Sequence, residues 1–153
     1  MHSYHINNMV DGVVGGTNAT KQIIGQRLAS HLSFIPGPRG KDGSVDGAIT
    51  DSKDVLIAHF QSKLSADLIG VDEAKMLHSD LLRLKPKLCI YIAGIGYQDS
   101  FARLLRGQPE LSSTDIHLLD LNDVFSQTAA YLAALAVIPT HQGGTINFSR
   151  FLV

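Results

Sequence analysis

The chain has 153 residues, of which 44% are hydrophobic and 18% are charged, and its formal net charge is −1. This balance predicts one globular domain with a sizeable core, and the lack of a global basic field argues against a non-specific nucleic-acid coat protein while leaving open an enzyme with a local basic groove. The single cysteine, Cys89, excludes an intramolecular disulfide, so we expect a reducing, cytoplasmic location, and no apolar run is long enough to predict a membrane span.

The first half of the chain predicts an arm, a helix and a meander of strands. Residues 1–16 are polar and then glycine-rich, so we expect a flexible N-terminal arm before a single domain that covers 17–153. A helix should follow, capped by Thr17 or Asn18 and running to about Leu32. Apolar alternation between turn signals then predicts three strands, which should cover 33–35, 45–50 and 55–64.

The second half predicts helices that alternate with strands. Apolar residues at helical spacing indicate a helix over 71–84, and the continuous apolar run 88–95 is typical of a central strand covered on both faces. We expect a last helix capped by Asp123 and running through Ala136, and a short strand near 145–148. Shorter elements complete the order, with a helix at 100–105 and a strand at 116–121. The fold class is therefore α/β, a mixed sheet with helices on both faces.

A polar patch on two adjacent strands is the strongest functional signal. Side chains alternate across a strand with a period of two, so Gln61 and Lys63 should share one face while Phe60 points to the core. Asp46, on the preceding strand, adds a carboxylate beside them. One carboxylate, one amide carbonyl and one ammonium at a sheet edge can hold a hard divalent cation and orient a water against a phosphodiester.

The order of elements, with Asp46 after a glycine-rich turn and a Gln-x-Lys motif at 61–63, resembles the PD-(D/E)xK nuclease superfamily over roughly 17–125. The nearest sub-pattern is the Mrr-like branch, in which glutamine commonly replaces the acidic residue of (D/E)xK. The resemblance implies a restriction endonuclease-like core and a Mg²⁺-dependent endonuclease, with Mn²⁺ as a substitute. It also implies double-stranded DNA as substrate and a homodimer, because two strand cuts need two sites.

The resemblance assigns a role to each residue of the motif. Asp46 is the expected metal-binding aspartate, Gln61 the second ligand through its side-chain carbonyl, and Ser62 a ligand through its backbone carbonyl. Lys63 is expected to position the attacking water and to stabilise charge in the transition state. Asp42 is a second candidate for the carboxylate, ranked below Asp46 because of its longer spacing to the Gln-x-Lys pair. Residues expected to contact nucleic acid are Arg39, Lys41, His59, Tyr97, Gln98 and Arg103.

The sequence also departs from the family pattern and leaves alternatives open. Many members place a glutamate on the first helix, where this chain offers only Gln22 or Gln26. Because an amide holds Mg²⁺ less well than a carboxylate, a non-catalytic member that binds nucleic acid or a partner protein is the second hypothesis. A third is a small-ligand domain that uses the glycine turn at 94–96. Ordinary structural roles also stay open, namely a half-buried His59 and a solvated strand face.

Overall fold

The structure is a computed structural model that describes residues 2–38 and 45–152. Its helices are α1 His2–Val14, α2 Asn18–His31, α3 Val71–Leu84, α4 Asp99–Arg106, α5 Leu121–Ser126 and α6 Ala129–Val137. Its strands are β1 Ile35–Pro36, β2 Gly47–Thr50, β3 Leu56–Lys63, β4 Leu88–Ala93 and β5 Asp115–Asp120. Two short 3-10 helices lie at Pro109–Leu111 and Phe148–Phe151. Within the described ranges, no helix is both long and apolar enough to cross a membrane.

The five strands form one mixed sheet in the order β1-β2-β3-β4-β5. The first three strands pair antiparallel as a meander, and β3, β4 and β5 pair parallel. The hairpin between β2 and β3 is closed by Asp51, whose carboxylate accepts hydrogen bonds from the backbone N–H groups of Lys53 and Val55 at 2.8 and 3.0 Å. Because β3 to β5 run in one direction, their carboxyl ends meet at one edge of the sheet.

Helices cover both faces of this sheet, as the sequence predicts. One face packs against α1, α2, α5 and α6 around the fully buried Phe60. The other face packs against α3 and α4 around Tyr91 and Phe101, which are also fully buried. Cys89 lies in this second layer as a free buried thiol, and burial raises its pKa. The mixed α/β class is confirmed, and so is the helix that Thr17 caps through its side chain.

The expected flexible arm at 1–16 is wrong, because His2–Val14 form α1. The side chains of Ile6, Val10 and Val14, spaced four residues apart, are buried in the first core layer. Residues at this spacing share one face of a helix, so they give α1 a narrow apolar stripe. A segment in which apolar residues are sparse is easily interpreted as unstructured. The burial of these three side chains nevertheless attaches α1 to the domain.

The C-terminal part also differs from prediction. The single helix expected from Asp123 is divided into α5 and α6, because Gln127 adopts a left-handed conformation with φ 51°. Asp120 is the cap of α5 and forms a reciprocal capping box with Asp123, while Thr128 caps α6. The strand expected near 145–148 is absent from the described structure, where this tail ends in a 3-10 helix that packs its last phenylalanine against β2 and β3.

Candidate active site

A polar groove with a volume of about 530 Å³ lies between α2 and α3, at the carboxyl end of β3. Asp46, Gln61, Ser62 and Lys63 all line it, so the structure brings the four motif residues together. The groove also has a lining that the motif did not predict. Its α2 wall carries polar side chains along one helix face, and its α3 wall carries an acid; these residues are Asn18, Lys21, Gln22, Gln26 and Glu73.

Asp46 is fixed at the entrance to β2 by hydrogen bonds from both its neighbouring strands. Its N–H donates to the carbonyl of Phe60 at 2.9 Å, and its own carbonyl accepts from the N–H of Gly37 at 2.7 Å. Its carboxylate oxygen Oδ2 accepts from the backbone N–H of Ser62 at 2.8 Å. Burial raises the pKa of Asp46 from 3.8 to about 6, and the hydrogen bonds from Ser62 only partly oppose this rise.

Ser62 contacts Asp46 through its backbone N–H and its hydroxyl, while the ligand role expected of its backbone carbonyl stays a prediction. Its N–H makes the short bond to Oδ2, and its hydroxyl oxygen lies 3.5 Å from the same atom. Helix α2 approaches closely here, because a Cβ at Gly25 would lie 2.7 Å from the Ser62 hydroxyl oxygen. The glycine therefore lets α2 form a wall of the groove directly beside the Asp46 carboxylate.

Gln61 places an unusual atom beneath the groove. Its side-chain oxygen Oε1 is buried and has no hydrogen-bond partner among the described residues. Leaving a buried acceptor unpaired costs about 1–3 kcal/mol, so native proteins rarely retain one without a reason. An unpaired acceptor on a residue that lines a polar groove fits a hard cation or a bound polar ligand, and this oxygen is the atom that the resemblance predicts as the second metal ligand.

Lys63 is paired with an acid that sequence reasoning missed. Its Nζ lies 3.0 Å from Oε1 of Glu73, with the two side chains 48% and 25% exposed. An ion pair this exposed contributes about 1 kcal/mol or less to stability, so stability alone does not explain it. Glu73 lies in the first turn of α3. Its position could have been predicted from the sequence, because the helix that follows a strand begins at the sheet edge where that strand ends.

Comparison with protein-family models, with curated proteins and with solved structures finds no match to this chain. Within residues 2–38 and 45–152, no group of three or more histidine, cysteine, aspartate or glutamate side chains is placed to hold a metal ion. The groove offers two carboxylates, from Asp46 and Glu73, and one amide oxygen, from Gln61.

Of the residues expected to contact nucleic acid, His59 is buried and Tyr97 is half-buried. His59 shares the sheet face of Gln61 and Lys63 but is fully covered, with its Nδ1 3.5 Å from Cys89 Sγ. Tyr97 uses its hydroxyl to join two strands, donating to the carbonyl oxygens of Tyr91 at 3.0 Å and Leu119 at 2.6 Å. Alternation along a strand predicts which sheet face a side chain lies on. It does not predict how deeply the side chain is buried, because burial depends on the helices packed against that face.

The other expected contacts lie apart from the groove or outside the described residues. Gln98 is exposed at the start of α4, and Arg103 is exposed on that helix; neither lines the groove. Arg39, Lys41 and Asp42 lie outside the described residues. The structure therefore offers α2, rather than α4, as the polar wall beside the motif.

The glycine turn at 94–96 does not form a phosphate cradle. A Cβ at Gly94 would lie 2.3 Å from the carbonyl oxygen of Ser65 and 2.7 Å from a methyl group of Val14, so protein atoms fill the space. Helix α4, which follows the turn, begins with Asp99, whose negative charge opposes a phosphate at that helix N-terminus. This geometry disfavours the small-ligand hypothesis.

Proposed function

We propose that this chain is a metal-dependent endonuclease that hydrolyses phosphodiester bonds in DNA, with Mg²⁺ as its cofactor and Mn²⁺ as a substitute. The observation that carries the proposal is the convergence of Asp46, Gln61 and Lys63 on one polar groove. The topology is also compatible with a restriction endonuclease-like core. In the chain, a helix precedes an antiparallel three-stranded meander, which is followed by a helix and a strand parallel to the last strand of the meander.

Asp46 supplies the first negative oxygen of the site. Ser62 donates to Oδ2, which orients the carboxylate and leaves Oδ1 as the oxygen for a cation. A carboxyl group with a pKa of about 6 is largely ionised above that pH and protonated below it. Because a cation binds only the ionised form, burial makes this residue a strong ligand whose occupancy depends on pH near neutrality.

Gln61 and Glu73 complete the donor set. The unpaired Oε1 of Gln61 fits a cation better than it fits an apolar core, and Glu73 adds the second carboxylate that the first helix lacks. When bound, a divalent cation would polarise the phosphate and lower the pKa of a coordinated water. With two carboxylates and one amide, the donors suit one cation that keeps several of its own waters.

Lys63 supplies positive charge where the reaction needs it. Its ammonium lies in the groove, held at 3.0 Å by Glu73, and it is the group best placed to stabilise charge that develops on the phosphate. The glutamate limits the rotation of a long flexible side chain, so the ammonium is oriented before substrate arrives. Lys21, across the groove on α2, adds a second positive charge for the substrate backbone.

The polar face of α2 is the proposed substrate wall. Asn18, Lys21 and Gln22 begin that wall at the helix N-terminus, where the helix dipole favours a phosphate. Double-stranded DNA is the proposed substrate and a homodimer the proposed active form, because one groove per chain cuts one strand. Size-exclusion chromatography with light scattering on the DNA-bound protein tests the assembly, and a monomer would contradict it.

The competing proposal is a non-catalytic protein of the same fold that binds nucleic acid or a partner protein. One observation favours it. Lys63 is already neutralised by Glu73, and the described groove contains only two carboxylates. Under this alternative the polar groove would bind its ligand without a cation and without turnover.

A plasmid-nicking assay with Mg²⁺ or Mn²⁺ separates these proposals. We expect the wild type to nick supercoiled DNA, and Asp46→Ala and Lys63→Ala each to lower the rate by about 100-fold or more. Matched controls are Asp72→Ala and Lys75→Ala, which remove the same charges from exposed positions outside the groove. Cleavage that both motif variants retain would overturn the site, and DNA binding without cleavage by the wild type would favour the non-catalytic alternative.

A further inference from the structure

A second buried polar atom without a partner belongs to the residue that pairs with Gln61 in the sheet. The Tyr91 hydroxyl is buried and, like Oε1 of Gln61, has no hydrogen-bond partner among the described residues. Gln61 and Tyr91 are register partners on the parallel strands β3 and β4. Side chains of register partners project from the same face of a sheet, so a buried acceptor and a buried donor belong to neighbouring side chains.

The hydroxyl of the neighbouring Tyr97, unlike that of Tyr91, has hydrogen-bond partners. Tyr97 packs against the same Phe101 ring as Tyr91, yet its hydroxyl donates to two strand carbonyls. Packing alone would be served by phenylalanine at position 91, because the ring of Tyr91 is fully buried. A hydroxyl buried without a partner costs about 1–3 kcal/mol, so its presence calls for a partner that arrives with the ligand.

Burial and nearby negative charge keep the Tyr91 hydroxyl protonated. Burial raises the pKa of Tyr91, and the negative charges of Glu73 and Asp46 raise it further. The hydroxyl therefore stays protonated at neutral pH and is available as a donor. Both carboxylates of the proposed cation site act on it, although it belongs to a strand that contributes no residue to the groove lining.

We propose that Tyr91 is a positioning residue for the Gln61 carbonyl. A single water accepts a hydrogen bond from the Tyr91 hydroxyl and donates one to Oε1 of Gln61, which satisfies both buried atoms. The second lone pair of Oε1 would then be available to a divalent cation. This inference rests on the proposed function, because it takes the Gln61 carbonyl to be a ligand of the proposed cation.

Calorimetric titration of Mn²⁺ into the protein tests the inference. We expect Tyr91→Phe to weaken Mn²⁺ binding by about tenfold or more, the usual effect of losing a group that orients a ligand. Tyr97→Phe is the matched control and should lower thermal stability while keeping the wild-type affinity. In a Gln61→Ala background, Tyr91→Phe should cause no further loss, since its effect passes through the carbonyl.

The outcomes distinguish this inference from the proposed function. If the wild type binds Mn²⁺ and Tyr91→Phe binds it equally well, the positioning role is wrong while the cation site stands. The role is equally wrong if Tyr91→Phe causes the same loss in the Gln61→Ala background. If the wild type binds no Mn²⁺, the cation site itself is wrong, and the role of Tyr91 is overturned with it.

Discussion

The buried carboxylate of Asp46 gives the sharpest physical prediction. Its pKa rises from 3.8 to about 6 because burial disfavours the charged form. The folded state therefore holds the proton more tightly than the unfolded state does. This contribution to stability is complete below about pH 4 and is lost as the pH rises to about 6 and above. The substitution Asp46→Asn removes the charge while keeping an oxygen that accepts from Ser62.

The magnitude follows from the difference between the two pKa values. At about 1.4 kcal/mol for each pKa unit, the ionised Asp46 carboxylate costs the folded state about 3 kcal/mol at about pH 7.5. At about pH 4.5 the folded carboxyl is mostly protonated, and the cost falls to about 1 kcal/mol. Asp46→Asn should therefore be more stable than the wild type, with an advantage that shrinks by about 2 kcal/mol between these two conditions.

Urea denaturation of both proteins at the two pH values measures this difference. Asp51→Asn is the control of opposite sign, because hydrogen bonds from Val55 and Lys53 lower the pKa of Asp51. That variant should be less stable than the wild type at neutral pH, with the deficit vanishing on acidification. A stability difference for Asp46→Asn that does not change with pH, or a variant less stable than the wild type at about pH 7.5, would contradict a raised pKa of Asp46.

Three further predictions concern the walls of the groove and the core. Glu73→Gln should lower Mn²⁺-dependent nicking by about tenfold or more while changing stability by about 1 kcal/mol or less, with Asp72→Asn as the unaffected neighbour. Gly12 lies on α1 with open space around it, so Gly12→Ala should raise the free energy of unfolding by about 0.5–1 kcal/mol in a denaturation experiment. Gly25→Ala should not show this gain, because its Cβ would lie 2.7 Å from the Ser62 hydroxyl oxygen. Ile6→Ala should lower the free energy of unfolding by about 2–4 kcal/mol. An unchanged value would contradict the packing of α1 against the domain.

Local patterns predicted the centre of the fold well. The cap at Thr17, the alternation through β3 and the continuous apolar run of β4 each correspond to an observed element. These signals are strong because they repeat over many residues or involve a specific side-chain bond. The split between α5 and α6 escaped prediction because it depends on one left-handed residue, Gln127, which is not a glycine.

The sequence predicted part of the candidate site. The residues that it did not predict reach the site through contacts between segments that are distant in the sequence. Alternation placed Gln61 and Lys63 on one face, but the burial of His59 on that face depends on the helix packed above it. Glu73 and Tyr91 reach the site only through the parallel pairing of strands and the start of α3, which a local pattern does not specify. Sequence reasoning therefore found the motif but not the residues that hold and surround it.

Single-turnover cleavage of supercoiled plasmid tests the proposed endonuclease site, with wild type and Lys63→Met compared in Mn²⁺ at about pH 7.5. Methionine keeps the length and apolar contacts of the lysine stem and removes only the ammonium that Glu73 holds. The proposed site predicts metal-dependent nicking by the wild type and a loss of about 100-fold or more in the variant. Equal rates for the two proteins, or nicking that persists in excess chelator, would contradict it.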